Sequence, residues 1–219
     1  MIAVTFALPA ESSEFARLFR KDERVSIIHT GVGRKAAAQR VGAALAGRER
    51  PRLLISAGFA GGLSDALRVG DLLLAENFSD PTALADSRAR LAAVTHRIGM
   101  MATAEAIADT PAERSKLAAE SRAIAVDMET EEIAQVCHAA GVPMLSLRVI
   151  TDTPSQPLPA PAAVLFNVEQ QRTEFAPLAF YLLKNPARVA PLITFAKRIA
   201  ACRRALAAAL ALLLRPPLR

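Results

Sequence analysis

The sequence is poor in the residues on which small disulfide-rich folds depend. It contains two cysteines, no tryptophan and one tyrosine, and only 5% of its residues are aromatic. Cys137 and Cys202 both fall in helical patterns, so we expect reduced thiols in the cytoplasm and no disulfide framework. Because 52% of the chain is hydrophobic, small and aliphatic side chains are expected to build the core.

Two kinds of catalytic centre lack their residues. The three histidines, His29, His96 and His138, lie far apart and do not have the spacing of metal ligands. Without a cluster of histidine and cysteine we expect no zinc and no other metal. No serine stands in a nucleophile elbow that would accompany a histidine and an acid. A site without a metal or other cofactor is therefore expected.

Long hydrophobic runs are also missing. No apolar run reaches the roughly 20 residues that a membrane-spanning helix needs. Met1 is followed at once by strand-like residues, without a basic leader or a small-residue cleavage site. A chain of 219 residues with no linker-like stretch predicts one α/β domain in the cytoplasm.

Acidic residues are absent from residues 175–219, which carry eight of the 27 basic residues of the chain. The basic character, with a pI near 10, therefore belongs to this tail. No nucleic-acid motif accompanies it, so no nucleic-acid partner is expected. Apolar residues recur at spacings of three and four from Leu192 to Leu213. They predict a helical extension that packs on the domain with a solvated basic face, or that contacts an anionic membrane surface.

Residues 123–152 form the most informative stretch that is present. They predict a buried strand, an acidic turn, a helix and a second buried strand. Glu129 follows the first strand, and Asp152 follows the second. In an open α/β sheet, ligands bind outside the carboxyl ends of the strands. Together with Arg148 on the second strand, the two carboxylates predict a site rather than a core.

Two earlier strands are also followed by functional candidates. Residues 2–8 predict the first strand, and Glu11 follows it, either as a site residue or as a first-turn acid that complements the helix dipole. Gly31 and Gly33 precede the next helix. They match a dinucleotide fingerprint only loosely, because no acid ends the following strand. They predict backbone amides directed at an anion or a polar ligand.

The middle of the chain is less regular. Residues 56–63, SAGFAGGL, predict a glycine loop that forms either a tight turn or the wall of a small-molecule pocket. Residues 76–96 predict a short loop with at most one helical turn, and residues 97–103 predict one strand. The proline-rich residues 153–163 predict a loop beside the site.

Six motifs in order resemble the nucleoside phosphorylase and nucleosidase superfamily, in particular its 5′-methylthioadenosine/S-adenosylhomocysteine nucleosidase branch. They are Ala10-Glu11, TGVGRKAA at 30–37, SAGFAGGL at 56–63, VGDLLL at 69–74, AIAVDMETEEIAQVC at 123–137 and VPMLSLRVITD at 142–152. The resemblance covers roughly residues 1–155. It implies a three-layer α/β/α sandwich with a mixed central sheet, a homodimer, and cleavage of the N-ribosidic bond of an adenosine-type purine nucleoside.

The resemblance also implies roles for individual residues around an oxocarbenium-like transition state. Glu11 would activate the attacking water, with Arg148 nearby, and Asp152 would support protonation of the leaving purine. Glu129 would hold the ribose hydroxyls, with Met128 beneath the sugar. Further substrate-binding residues are expected at Phe59, Ala60, Gly61, Ile107 and Thr151.

Departures from the family pattern bear on the nucleophile and the substrate. Phe59 stands where many relatives carry a small or hydroxyl residue, which favours water over phosphate. Gly31, Gly33 and Arg34 could still bind inorganic phosphate as a co-substrate, so phosphorolysis is the alternative. The short segment 76–96 and the basic tail also resemble hopanoid-associated phosphorylases. That resemblance implies an open pocket for a lipid-linked adenosine such as adenosylhopane.

Overall fold

A mixed β-sheet between two layers of helices forms the body of the protein, as expected from the sequence. The computed structural model describes residues 1–47, 49–165 and 175–215. The strands are β1 (Ile2–Phe6), β2 (Val25–His29), β3 (Leu53–Gly62), β4 (Leu72–Ala75), β5 (His96–Gly99), β6 (Met101–Thr103), β7 (Ala125–Asp127) and β8 (Met144–Asp152). The helices are α1 (Pro9–Phe19), α2 (Arg34–Leu45), α3 (Pro81–Arg90), α4 (Pro111–Ser121), α5 (Thr130–Ala140), α6 (Ala162–Leu165), α7 (Phe175–Lys184) and α8 (Val189–Leu213).

The sheet has the strand order β2-β1-β3-β8-β4-β5. Strands β2, β1, β3 and β8 are parallel to one another, whereas β4 pairs antiparallel with β8. The end of β3 extends beyond β1 and pairs antiparallel with β7, which in turn pairs with β6. This extra pairing at the top of β3 is what makes the sheet mixed at the site.

Alternate residues of the central strands face different helical layers, as the period of a strand requires. One face carries Ile55 and Leu145, which pack against α1 and the second half of α8. The other carries Leu54 and Met144, which pack against α2 and α5. Because both faces are covered, the lower parts of the central strands carry apolar residues on both faces, as is usual for parallel sheets.

The segment SAGFAGGL is a strand rather than the predicted glycine loop. Strand β3 continues to Gly62 because β8 pairs along one edge and β7 pairs with its end on the other. Its glycines provide space for functional side chains. A Cβ on Gly58 would lie 3.3 Å from Glu11 Oε2, and one on Gly61 would lie 3.2 Å from Asp152 Oδ2.

Two other sequence predictions were wrong. Residues 76–96 contain a full helix, α3, because Asp80 caps it by accepting hydrogen bonds from the amides of Thr82 and Ala83, and Pro81 occupies the first turn. The single strand predicted at 97–103 is two strands, since β5 pairs with β4 while β6 pairs with β7.

The C-terminal extension is helical, and its two ends differ in burial. Cys202, Leu206 and Leu210 in the second half of α8 are buried in the core. Leu192 and Ile199, at the start of the predicted stripe, are only partly buried. No helix of residues 1–47, 49–165 and 175–215 is long and apolar enough to cross a membrane. The sequence from Phe166 onward predicts a helix, and the first part of that stretch lies outside the described residues.

Two glycines near helices are expected to respond in opposite ways to substitution by alanine. Gly42 lies within α2 and a Cβ there would meet nothing within 4 Å, so Gly42→Ala should raise the free energy of unfolding by about 0.5–1 kcal/mol. Gly141 caps α5 at φ 67°, so Gly141→Ala should lower it by about 1 kcal/mol. Urea denaturation of both variants measures these changes. A change of the same sign in both free energies of unfolding would contradict the different roles given to the two glycines.

Candidate functional site

A buried arginine organises the polar centre of the molecule. Arg148 is 2% exposed and donates from Nε and Nη2 to Asp127 Oδ2, at 3.1 and 2.9 Å. Its other hydrogen bonds go to the Ser56 carbonyl and hydroxyl, the Leu147 carbonyl and the Thr130 hydroxyl. The guanidinium therefore joins β8 and β3 to the turn between β7 and α5, and its charge is compensated within the fold.

Two glutamates converge beside this arginine, as the sequence predicts. Glu11 lies in the first turn of α1 and accepts a hydrogen bond from the Ala7 amide at 3.2 Å. Glu129 precedes α5 and accepts one from the Gly33 amide at 2.7 Å. Both line a cavity of about 20 Å³ that Phe59 and Arg148 also border. That volume holds one water molecule.

The direction of β7 explains how Glu129 reaches Glu11. The sequence places Glu129 and Asp152 at one sheet edge, where parallel strands end. However, β7 runs antiparallel to β3, with Val126 opposite Gly61, so the chain beyond Asp127 returns toward the level of Gly58. Asp152 instead pairs with Gly61. The two acids therefore lie at different levels of β3.

Burial changes the acidity of both glutamates. Removal from water raises the pKa of Glu11 to about 7, although the Arg148 guanidinium opposes this shift. Burial also raises the pKa of Glu129, and the neighbouring Asp127 adds to the shift. A carboxyl group with a pKa near neutrality can exchange a proton at physiological pH. The cavity thus combines a water-sized space with a potential general base.

Two of the three residues proposed to bind phosphate, Gly33 and Arg34, already bind carboxylates, and the Gly31 amide donates to the Ala7 carbonyl at 3.0 Å. Gly31 and Gly33 have φ values of 77° and 94°, and the Gly33 amide donates to Glu129. Arg34 forms ion pairs with Glu131 at 2.9 Å and with Glu132 at 2.6 Å. Because protein carboxylates compensate these donors, the arrangement weighs against a phosphate site.

Asp152 forms a second polar centre, at the end of β8. It is 6% exposed and forms an ion pair with Arg114, which is 3% exposed and also donates to the Gly62 carbonyl at 2.8 Å. The other carboxylate oxygen accepts from the Thr151 hydroxyl at 2.8 Å. This centre is four residues along β8 from Arg148, a distance of roughly 13 Å between Cα atoms in an extended strand.

The other predicted residues lie along the span between the two centres or beside it. Ala60 and Gly61 belong to β3, and the Ala60 carbonyl accepts from the Thr151 hydroxyl at 3.3 Å. Met128 is partly buried in the turn between β7 and α5. Ile107, which is 37% exposed, lies in the loop before α4.

The sequence interpretation missed two charged residues of the site. Asp127 is the ion-pair partner of Arg148, and Arg114 is that of Asp152. Each had a signal in the sequence. Asp127 follows an apolar strand directly, three residues before Thr130, to which it is hydrogen-bonded. Arg114 stands three and four residues before Leu117 and Ala118, on the apolar side of α4.

Two further observations concern sites outside the two polar centres. A larger groove of about 720 Å³ lies between α3 and β5 and is bordered by Arg88, His96 and Arg97. None of the predicted site residues borders it. Within the described part of the chain, no group of three or more His, Cys, Asp or Glu side chains could hold a metal ion.

Comparison with known proteins agrees with this geometry. A 5′-methylthioadenosine/S-adenosylhomocysteine nucleosidase of Staphylococcus aureus (strain bovine RF122 / ET3-1) is 27% identical over 160 residues, which are 60% of this chain and 70% of the relative.

Two solved structures have the same fold. Futalosine hydrolase of Helicobacter pylori strain 26695 has a TM-score of 0.71 at 15% identity, covering 97% of this chain and 96% of that one. The S-adenosylhomocysteine nucleosidase of Streptococcus pyogenes, in complex with 5-methylthiotubericidin, has a TM-score of 0.70 at 19% identity, covering 97% and 95%.

The model of one protein family, described as the phosphorylase superfamily, matches residues 9–185. This match covers most of the sheet and all of the residues assigned to the two polar centres. The chain therefore belongs to the phosphorylase superfamily.

Proposed function

We propose that this protein is a nucleosidase that hydrolyses the N-ribosidic bond of an adenosine-type purine nucleoside. The related nucleosidases support 5′-methylthioadenosine and S-adenosylhomocysteine as the substrates of this protein. The observation that carries the proposal is the meeting of Glu11 and Glu129 at a water-sized cavity beside Arg148. A base and a water are what hydrolysis requires at the sugar carbon.

Glu11 acts on the nucleophile in this proposal. Its carboxylate takes a proton from the water as the water oxygen bonds to the anomeric carbon of the ribose. Glu129 is held by the Gly33 amide through one oxygen, which leaves the other to accept from a ribose hydroxyl. Positive charge that develops on the sugar is stabilised by both carboxylates. Met128, in the adjoining turn, lies beneath the sugar.

Asp152 acts on the leaving group. As one half of an ion pair with Arg114, it serves the purine as a hydrogen-bond acceptor that supports protonation of the base. The proton that the base takes up comes from solvent, and the proton that Glu11 accepts from the attacking water is released to solvent. The separation of the two centres along β8 supports a division in which Glu11 and Glu129 act on the sugar and Asp152 acts on the base.

Hydrolysis rather than phosphorolysis is favoured by the pairing of Gly33 and Arg34, two of the candidate phosphate-binding residues, with protein carboxylates. Neither inorganic phosphate nor another cofactor takes part in the proposed reaction. The cytoplasmic location expected from the sequence remains part of the proposal, supported by two free, buried thiols at Cys137 and Cys202.

We also propose peripheral contact between the surface of α7 and the first half of α8, named here the α7–α8 surface, and an anionic membrane. Phe180, Leu183, Val189 and Ile193 are 59%, 81%, 42% and 53% exposed. Exposed apolar side chains beside cations are typical of interfacial helices. Such contact would suit a lipid-linked adenosine such as adenosylhopane, which remains a prediction.

The charges favour lipid over a second copy of the chain on this surface. The α7–α8 surface exposes four basic residues, which are Lys184, Arg188, Lys197 and Arg198. Residues 175–219 contain no acid. Two such surfaces would repel each other, whereas each basic residue near an anionic membrane contributes about 1 kcal/mol of attraction. The homodimer expected from the family resemblance would then form through another face.

The choice of nucleophile can be tested by product analysis. Incubation with 5′-methylthioadenosine or S-adenosylhomocysteine in phosphate-free buffer should release adenine and the free thioribose species. Asp152→Asn should lower kcat by about 100-fold or more, while the exposed Asp86→Asn should leave it unchanged. Circular dichroism should show both variants folded. Strict dependence on phosphate would reject hydrolysis.

The acidity of Glu11 predicts a pH profile. Because the base form of Glu11 exists above a pKa of about 7, kcat/KM should fall about tenfold per unit as the pH drops below that value. Glu11→Gln should abolish turnover, whereas Glu14→Gln, at a partly exposed acid on the same helix that pairs with Arg17, should retain the wild-type profile. A profile that is flat between pH 5 and 8 would contradict a role for Glu11 as the base.

Membrane contact can be tested by co-sedimentation with phosphatidylserine vesicles. Deleting the tail is unsuitable, because the second half of α8 belongs to the core. Reversing Lys184 and Arg188 to Glu should weaken binding at least tenfold, since each loses an attraction and gains a repulsion. Reversing Arg88 and Arg97, in the groove between α3 and β5, should not. Equal binding by the two double variants would reject the α7–α8 surface as the contact surface.

A further inference from the structure

Three hydroxyl side chains cross the central sheet in a single row. Thr5 on β1 pairs with Ser56 on β3, and Ser56 pairs with Ser146 on β8. Aligned residues of neighbouring strands share a face, so the three hydroxyls lie on the side of the sheet covered by α2 and α5. Apart from this row, that face is largely apolar along the lower parts of the same strands.

The three hydroxyls differ in their hydrogen bonds. Ser56 Oγ accepts from Arg148 Nη2 at 2.8 Å. Thr5 Oγ1 and Ser146 Oγ have no hydrogen-bond partner within the described residues, although their residues are only 1% and 0% exposed. A buried polar group without a partner costs about 1–3 kcal/mol. Each such group therefore needs an explanation.

Position relative to the cavity separates the two unpartnered hydroxyls. Thr5 lines the cavity of about 20 Å³ together with Glu11, Ser56 and Arg148, whereas Ser146 does not border it. Ser146 lies two strands from Thr5, at roughly 10 Å between their Cα atoms. A water held in a buried site needs two to four polar partners. Thr5 is placed to be one of them.

We propose that Thr5 Oγ1 binds and orients the water that attacks the ribose. This inference rests on the proposed hydrolytic function and adds a residue to its machinery. The water donates one O–H to the Glu11 carboxylate and the other to Thr5 Oγ1, so that a lone pair remains for the sugar. The bond from the water oxygen to the anomeric carbon forms as the bond to the purine nitrogen breaks. The proton passes to Glu11, and the electron pair leaves with the base.

The other polar side chains that border the cavity already have partners. Thr30 donates to the Gly31 carbonyl at 2.9 Å, and Glu129 accepts from the Gly33 amide at 2.7 Å. The Ser56 hydroxyl already accepts from Arg148, and the Arg148 guanidinium is directed at Asp127, Ser56 and Thr130. Without a second partner, the water would be free to rotate about its contact with Glu11. Loss of orientation of this kind, with reacting atoms displaced by about 1 Å, can reduce the rate about 100-fold.

Three substitutions test the role. Thr5→Val replaces the hydroxyl by a methyl group and should lower kcat about 10- to 100-fold, with KM changed less than about threefold because ribose and purine contacts remain. Thr5→Ser keeps the hydroxyl and should retain most of the activity. Ser146→Ala removes the matched hydroxyl outside the cavity and should leave kcat unchanged. Kinetics with 5′-methylthioadenosine measure all three.

Stability and hydration provide readouts that a structural role would not reproduce. Thr5→Val keeps the shape of the side chain and removes a hydroxyl that no protein group binds, so its melting temperature should stay close to that of the wild type even though its turnover falls. A crystal structure of the wild type at high resolution should show a water within hydrogen-bonding distance of both Thr5 Oγ1 and a Glu11 carboxylate oxygen.

The outcomes separate this inference from the function on which it rests. A wild-type kcat in Thr5→Val, or an equal loss in Ser146→Ala, would overturn the role of Thr5 while leaving hydrolysis intact. An inactive wild-type protein would instead reject the proposed function. The crystal structure decides the inference in either case, because Thr5 Oγ1 without a bound water overturns it.

Discussion

The buried guanidinium of Arg148 is the constraint from which the rest of the site follows. A guanidinium stays protonated in proteins, and a buried charge that loses its partner costs about 3–5 kcal/mol. Asp127 and Thr130 must therefore approach Arg148, and Glu129, between them in sequence, is carried to the cavity by the same turn. The carbonyl and hydroxyl of Ser56 complete the cluster and attach it to the centre of the sheet.

This cluster also determines which acids remain available for chemistry. Asp127 compensates the charge of Arg148 at close range, so Glu11 and Glu129 receive only part of its stabilisation. Burial then dominates and raises the pKa of both glutamates. A carboxyl group titrating near neutrality can serve as a base under cellular conditions. The structure thus couples an ion pair that holds the fold together to the acidity that hydrolysis needs.

The second centre depends on the glycines of β3. Side chains on Gly58 and Gly61 would meet Glu11 and Asp152, respectively, so the absence of Cβ atoms lets carboxylates approach the strand from both centres. At the upper level, Arg114 reaches across from α4 to Asp152 and to the Gly62 carbonyl. One strand therefore supports the Arg148 centre and the Asp152 centre at a fixed separation.

The sequence by itself determined the class of the fold. Apolar runs identified most strands, and the polar residues that follow or end them predicted Glu11, Glu129, Arg148 and Asp152 as site residues, which the structure gathers at two polar centres. It did not predict that residues 56–62 continue as a strand, because the pairing partners of β3 lie far away in sequence.

Only the tertiary structure decided which charges meet. The antiparallel direction of β7 brings Glu129 to Glu11, and α4 carries Arg114 to Asp152. It also decided that the second half of α8 is buried while Phe180 and Leu183 are exposed. The physical reason is that strand periodicity and helix amphipathicity are local properties of a sequence, whereas burial, ion pairing and the resulting acidity depend on neighbours that only folding brings together.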